Sequence, residues 1–229
     1  DPRRTEHDHA EVGATPIRTK HGWLLIYSHI EHYFPSSENF RPQFGIEALL
    51  LDLEDPRKII GRTKGPLMVP EEPYEHSGHV SNIVFPSGAL LRGETLTIYY
   101  GASDTTTCSA DININDLVST ISFKTRDRYH FKRLKQNPII MPAEHHPWES
   151  KATFNPAAID LGDKVHILYR ALSNENTSTI GYATSLDGIT ITERLSEPIY
   201  IPREDFETKK MDGANSGCED PRVTKIGEN

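Results

Sequence analysis

A short phrase recurs three times along the chain and restricts the fold more than any other feature. GPLMVP at 65–70, NPIIMP at 137–142 and EPIYIP at 197–202 each carry a proline, three residues of which the first and third are apolar, and a second proline. An acidic, small-residue loop follows each copy. A second proline-centred phrase comes next: NIVFPSGAL around Pro86, TFNPAAIDL around Pro156 and CEDPRVTKI around Pro221. Tyr99 and Tyr169 lie thirteen residues beyond Pro86 and Pro156, and Tyr27 in GWLLIYS takes the same role earlier in the chain. The strand phrases are rich in Ile, Leu, Val and Tyr and are bounded by Gly, Asp or Asn, which is the chemistry of strands and turns. Helical periodicity is nearly absent; the stretch around Asp116-Leu117-Val118 is read as one turn at most. Repeats of 60 to 72 residues built from strands are read as propeller blades of about four strands each. A β-sandwich is the competing architecture, and the paired spacing argues against it.

In a propeller the innermost strand of each blade lines a central channel. Phe85, Asn155 and Asp220 each precede the repeat proline and are expected at equivalent places beside that channel. Ser28, Tyr100 and Arg170 each follow the strand tyrosine. A repeat position that is apolar in one blade and Asn or Asp in another has been specialised, and so points to a site.

Composition narrows the function classes. The formal net charge of -8 argues against a nucleic-acid or anionic-membrane surface, which needs clustered Lys and Arg. Two cysteines, Cys108 and Cys218, are too few for a disulfide scaffold and read as reduced thiols in the cytoplasm. No apolar run approaches the roughly 20 residues of a membrane helix. Asp1-Pro2-Arg3-Arg4 is followed by no apolar stretch of the signal-peptide kind. The chain starts without Met and stops at Glu228-Asn229 where a strand is due, so it is expected to be a fragment.

Five motifs carry a family resemblance. GCEDPR at 217–222, FNPAA at 154–158, VHILYRA at 165–171, GWLLIY at 22–27 and IYYGASD at 98–104 resemble motifs of the β-mannoside phosphorylases and related mannosidases, glycoside hydrolase family 130. The resemblance implies an all-β, five-bladed β-propeller type, present here as a partial or permuted arc of about three to four blades. Residues 1–125 resemble the family's C-terminal blades, and residues 131–229 its N-terminal blades, ending mid-blade. That order is the reverse of the family's, and the middle blades are missing. A junction of two tandem propellers and a single continuous arc both produce it. In a single arc the run Ser119-Thr120-Ile121-Ser122-Phe123 is expected to complete a blade as a strand, and Asp104 and Asp220 would share one channel.

The activity implied is inverting phosphorolysis of β-mannoside oligosaccharides to mannose 1-phosphate, with inorganic phosphate as co-substrate and neither cofactor nor metal. β-Mannoside hydrolysis is one alternative. A non-catalytic propeller module binding carbohydrate or protein is another, because open strand edges invite a second copy, or blades of the parent chain, to pair there. Glycosidic cleavage needs a carboxylic acid to protonate the leaving oxygen and a nucleophile on the opposite ring face. By resemblance Asp220 is that acid. Asn155, Arg170 and Asp104 are expected at the sugar, Glu219 beside the acid, and Glu75 as a further substrate-binding residue. As residues alone, Glu219-Asp220-Pro221 also reads as a solvated turn, Asp104 as the opening of a turn, and Arg170 as a structural partner of Glu219 or Asp220. Glu54-Asp55-Pro56-Arg57 repeats the same string where a connecting turn suffices. Ser28 occupies the place where the family has a histidine, and His29 is expected on the other side of the strand. Most of the family's cationic phosphate ligands would come from blades missing here. His145-His146 and His7-x-His9 lack the further ligands a metal needs.

Overall fold

The computed structural model describes residues 5–34, 42–121, 129–208, 211 and 214–227. The protein is nearly all-β, with 7% helix. Its strands form three antiparallel sheets, which are blades of a propeller. Blade one orders β1 (His9–Val12), β3 (Gly22–Glu31), β4 (Gln43–Leu51) and β5 (Ile59–Arg62), with β2 (Ile17–Thr19) also paired to β3. Blade two orders β6 (Val84–Arg92), β7 (Thr95–Ala102), β8 (Thr106–Asn113) and β9 (Lys132–Arg133). Blade three orders β10 (Ala152–Asp160), β11 (Val165–Leu172), β12 (Thr177–Ser185) and β13 (Ile191–Arg194). A short β14 (Ser216–Gly217) joins β12 in parallel. The helices are α1 (Pro73–His76), α2 (Ile114–Ile121) and a 3-10 turn at Pro147–Glu149.

Strand alternation divides the core between the blades. On β7, Leu96, Ile98, Tyr100 and Ala102 pack with Leu24, Ile26, Ile46 and Leu50 of blade one. Tyr99, facing the other way, packs with Val165, Ile167 and Tyr169 of blade three. Both faces of the middle blade are therefore covered. Its inner strand approaches the next one closely: a Cβ on Gly88 would lie 2.9 Å from the carbonyl oxygen of Pro156.

Register corrects the repeat alignment by one residue in blade two. One bridge per blade ties the proline phrase to the third strand: Ile46 to Met68, Thr107 to Ile140 and Ile180 to Tyr200. Across the strand pairs, Ile46, Thr107 and Ile180 face Ser28, Gly101 and Arg170. The equivalent tyrosines are thus Tyr27, Tyr100 and Tyr169, and Tyr99 is not among them. Phe85 pairs with Gly101 as Phe154 pairs with Arg170, so Asn155 corresponds to Pro86 rather than to Phe85. Two features hid the slip. The tandem Tyr99-Tyr100 offers two alignments, and the inner strands bulge between Pro86 and Gly88 and between Phe154 and Ala157.

The segment after β8 is also corrected. It forms a helix of eight residues rather than one turn, and the run from Ser119 is not a strand. Ile114, Leu117, Val118 and Ile121 stand at i, i+3, i+4 and i+7 and are all buried, the pattern of an amphipathic helix. The Asn113 side chain accepts the Asn115 N–H at 2.9 Å and starts the helix. Over four residues the same polar–apolar order satisfies a strand as well, which is why the shorter window misread it. Ser122 and Phe123 lie outside the described residues.

Candidate active site

The inner-strand bulge of blade three aims Asn155. Its φ is 48°, in the left-handed region that Asn and Asp tolerate better than other side chains. Its counterpart Pro86 has a ring-fixed φ and cannot adopt that conformation. Asp220 also has a φ of 48°. The two meet: Asn155 Nδ2 donates to Asp220 Oδ1 at 2.9 Å. Gly101, the counterpart of Arg170, makes room for the pair, because a Cβ there would lie 2.5 Å from Asn155 Oδ1.

Arg170 joins them from β11. Its Nη2 donates to Glu219 Oε1 at 2.6 Å, its Nη1 to Asp220 Oδ1 at 3.4 Å and its Nε to Ser178 Oγ at 3.0 Å. The guanidinium lies 4.8 Å from the centroid of the Phe154 ring. The Arg170 side chain is 12% exposed, whereas those of Glu219 and Asp220 are 41% and 38% exposed. The cation is thus sunk beneath two carboxylates that reach solvent.

Asp104 faces the same charges. It sits in the turn between β7 and β8, where Ser103 and Asp104 both have a φ of 47°. Burial pushes its carboxyl up, Arg170 opposes this, and Asp220 and Glu11 reinforce it, leaving a pKa of about 6. An acid of that strength exchanges protons near neutral pH beside a second carboxyl group, which is the electrostatics that proton transfer uses.

Glu75 does not join this group. It is fully buried beside the strand tyrosine of blade two. Its carboxylate accepts the Tyr100 hydroxyl at 2.9 Å, Arg133 Nε at 2.7 Å and the Glu71 N–H at 2.7 Å. Blade three repeats the device: Glu149 accepts the Tyr169 hydroxyl at 2.8 Å and pairs with Arg194 at 2.7 Å. Glu207 accepts Tyr200 and the Arg203 and Glu204 N–H groups in the next repeat. Glu75 and Glu149 share tyrosine and arginine partners, and Glu75 and Glu207 share a pair of preceding N–H donors, so each carboxylate is tied to its own blade. Glu75 took its place among the candidates because a motif match does not report burial.

Sequence reasoning passed over Arg222, the last residue of GCEDPR. Its Nε donates to the Gly13 carbonyl at 2.8 Å, and its Nη1 to the Asp220 and Pro221 carbonyls at 3.2 and 3.0 Å. Thr15 Oγ1 donates to the Val223 carbonyl at 3.2 Å. The segment carrying Asp220 is thereby fastened to the inner edge of blade one. In the second copy of the string, Arg57 instead bonds Asp55 in an exposed turn at 2.8 Å. The signal that separates the two copies is spatial, not local. Stretches 15–17, 87–90, 157–159 and 223–225 line an open pocket of about 240 Å³, and Asn155, Arg170, Asp104 and Asp220 are not among its lining residues.

Comparison with known proteins gives a consistent result. A family model described as beta-1,4-mannooligosaccharide phosphorylase matches residues 5–122 and 129–229. The chain is 37% identical over 116 residues to a 1,2-beta-oligomannan phosphorylase of Thermoanaerobacter sp. (strain X514), which covers 51% of this chain and 36% of the relative. It is 34% identical over 126 residues to a beta-1,2-mannobiose phosphorylase of Listeria innocua serovar 6a, which covers 54% of this chain and 33% of the relative. The chain thus spans about a third of the length of these curated relatives. Among solved structures, one described as a glycoside hydrolase superposes with a TM-score of 0.57 at 14% identity, covering 88% of this chain and 60% of the other. Sucrose-6-phosphate hydrolase from Lactobacillus gasseri gives 0.52 at 15% identity, covering 80% and 33%. At these identities the structural likeness concerns the fold alone.

Proposed function

This chain belongs to the β-mannooligosaccharide phosphorylase family, glycoside hydrolase family 130, and we propose that it carries the proton-delivering side of a site for inverting phosphorolysis of β-mannosides. In this reading Asp220 protonates the leaving oxygen. Asn155 and Arg170 orient the Asp220 carboxyl and the sugar, Asp104 contacts the same sugar, and Glu219 balances Arg170. Inorganic phosphate attacks the anomeric carbon, and the product is mannose 1-phosphate. The observation that carries the proposal is the single constellation of Asn155, Arg170, Glu219 and Asp220, bonded at 2.6 to 3.4 Å, with Asp104 in the same electrostatic field. Two free cysteines accord with a cytoplasmic enzyme. Among the described residues no helix is long and apolar enough to cross a membrane.

Product analysis with β-1,2- and β-1,4-mannobiose, with and without phosphate, tests the reading. Phosphate-dependent mannose 1-phosphate that Asp220→Asn lowers by about 10²-fold or more is expected. Phosphate-independent release of free mannose would replace phosphorolysis with hydrolysis. In such a case a second carboxylate must activate water, and Asp104, in the same electrostatic field as Asp220, is the candidate. Binding of mannobiose without either product would make the chain a carbohydrate-binding module.

A further inference from the structure

We propose that blade three carries a second ligand site, for a neutral oligosaccharide, on the face of its sheet opposite Arg170 and Asp220. The site is an open pocket of about 590 Å³ between the loop that leads into β10 and the turn that joins β11 to β12. That size falls within the roughly 300–1,000 Å³ of small-molecule sites. Its chemistry-bearing residues are Glu144 and Trp148 from the loop, and Asn174, Glu175, Thr177 and Thr179 from the turn and β12. Strand alternation separates it from the constellation around Asp220. On β12 the Ser178 hydroxyl accepts Arg170 Nε at 3.0 Å, so Thr177 and Thr179 on either side of it point to the other face of the sheet. None of these residues belongs to that constellation, so the site stands whether the reaction is phosphorolysis or hydrolysis.

Both walls of the pocket are held in place. Pro147 opens the 3-10 turn that carries Trp148, and the next residue, Glu149, is buried and bonded to Tyr169 and Arg194. Part of the indole packs on the core that contains Tyr99 and Tyr169, and its Nε1 donates to the Ser196 carbonyl at 2.9 Å. The ring is fixed in orientation with its polar edge already bonded, and its remaining apolar surface lines the pocket. On the other wall the Ser173 N–H donates to the Thr177 carbonyl at 3.1 Å, the Asn176 N–H to the Ser173 carbonyl at 3.0 Å and the Thr177 N–H to Ser173 Oγ at 3.2 Å. Two observations name the ligand. The lining holds two carboxylates and no cationic side chain, which disfavours phosphate and other anions. Thr179 is only 7% exposed, and its Oγ1 has no hydrogen-bond partner among the described residues. A buried polar group in that state is costly, and a hydroxyl-bearing ligand in the pocket offers the partner it lacks. An indole surface beside an amide, carboxylates and threonine hydroxyls suits a pyranose, whose axial C–H groups lie on the ring while its hydroxyls bond the polar groups.

Tryptophan fluorescence of the full chain tests this. The chain has two tryptophans, so Trp23→Phe makes Trp148 the sole indole. Titration with β-1,4-mannotriose or with cellotriose should change Trp148 emission saturably for at least one of the two sugars, and inorganic phosphate should leave it unchanged. The response should persist in Asp220→Asn. Thr179→Val keeps the shape of the side chain and should weaken sugar binding about three- to tenfold. It should not lower the melting temperature, because the hydroxyl it removes has no partner to lose. Emission indifferent to both sugars, a response to phosphate, a response lost in Asp220→Asn, or Thr179→Val binding sugar like the parent chain would each overturn the site. If Trp148 ignores both sugars while mannobiose is turned over, this site falls and the enzymatic reading stands.

Discussion

Folding holds the Asp104 carboxyl near a pKa of about 6, against 3.8 for an ordinary aspartate. The folded state therefore binds a proton there more tightly than the unfolded chain does. Stability from this group is complete below about pH 4 and is lost as pH rises through 6. Asp104→Asn removes the ionisable group, so at pH 7.5 the variant should be the more stable protein, by on the order of 1–2 kcal/mol after allowing for solvent around a part-exposed side chain. At pH 4 the difference should vanish. Urea denaturation at the two pH values checks this; an equal difference at both would mean that the carboxyl is not held up. Asp220, Asn155 and Arg170, which the structure brings together, were legible because each lies inside a distinctive motif. Arg222 was not, because its partner Gly13 is 209 residues away and no local pattern joins them.

Among the elements, the repeated carboxylate–tyrosine–arginine set decides how a blade holds its connecting loop. Glu75 has no exposed surface and neutralises Arg133, whose side chain is 13% exposed. Removing one member of a buried pair costs about 3–5 kcal/mol when the other charge is left without compensation; here Glu71 stays on Arg133 at 2.7 Å and lowers the cost to about 1–3 kcal/mol. Glu75→Gln should accordingly lower the unfolding free energy by that amount without changing the affinity of the folded fraction for mannobiose, measured by calorimetry below the melting transition. A variant of normal stability that loses sugar binding would return Glu75 to the site. Strand identity and blade repeat were readable from apolar alternation and paired prolines. Register in blade two was not, since Tyr99 and Tyr100 are both fully buried, one toward each neighbouring blade, and composition cannot tell two buried tyrosines apart. The helix Ile114–Ile121 was hidden for a related reason: its period shows only over a window longer than one turn.

For the molecule as a whole, the bonds from Arg222 to Gly13 and from Thr15 to Val223 are what bring the last inner segment against the first blade. Arg222→Ala should leave the three sheets intact and speed amide hydrogen exchange in 216–226 and at Gly13, while the inner strands of blades two and three keep their protection. Loss of protection throughout would show that the bonds hold up the fold rather than one end of it. The distance along the chain between the two ends of this fastening also sets an order of events. Each blade is built from strands that follow one another along the chain, so its contacts form at lower entropic cost, whereas the fastening closes a span of 209 residues and becomes favourable only after the intervening blades have shortened the path. A newly made chain would pass through a stage with all its sheets built and Arg222 still far from Gly13. In refolding, β-sheet signal should return before amide protection at Gly13, and a protease present in that interval would find the segment around Arg222 still open to it.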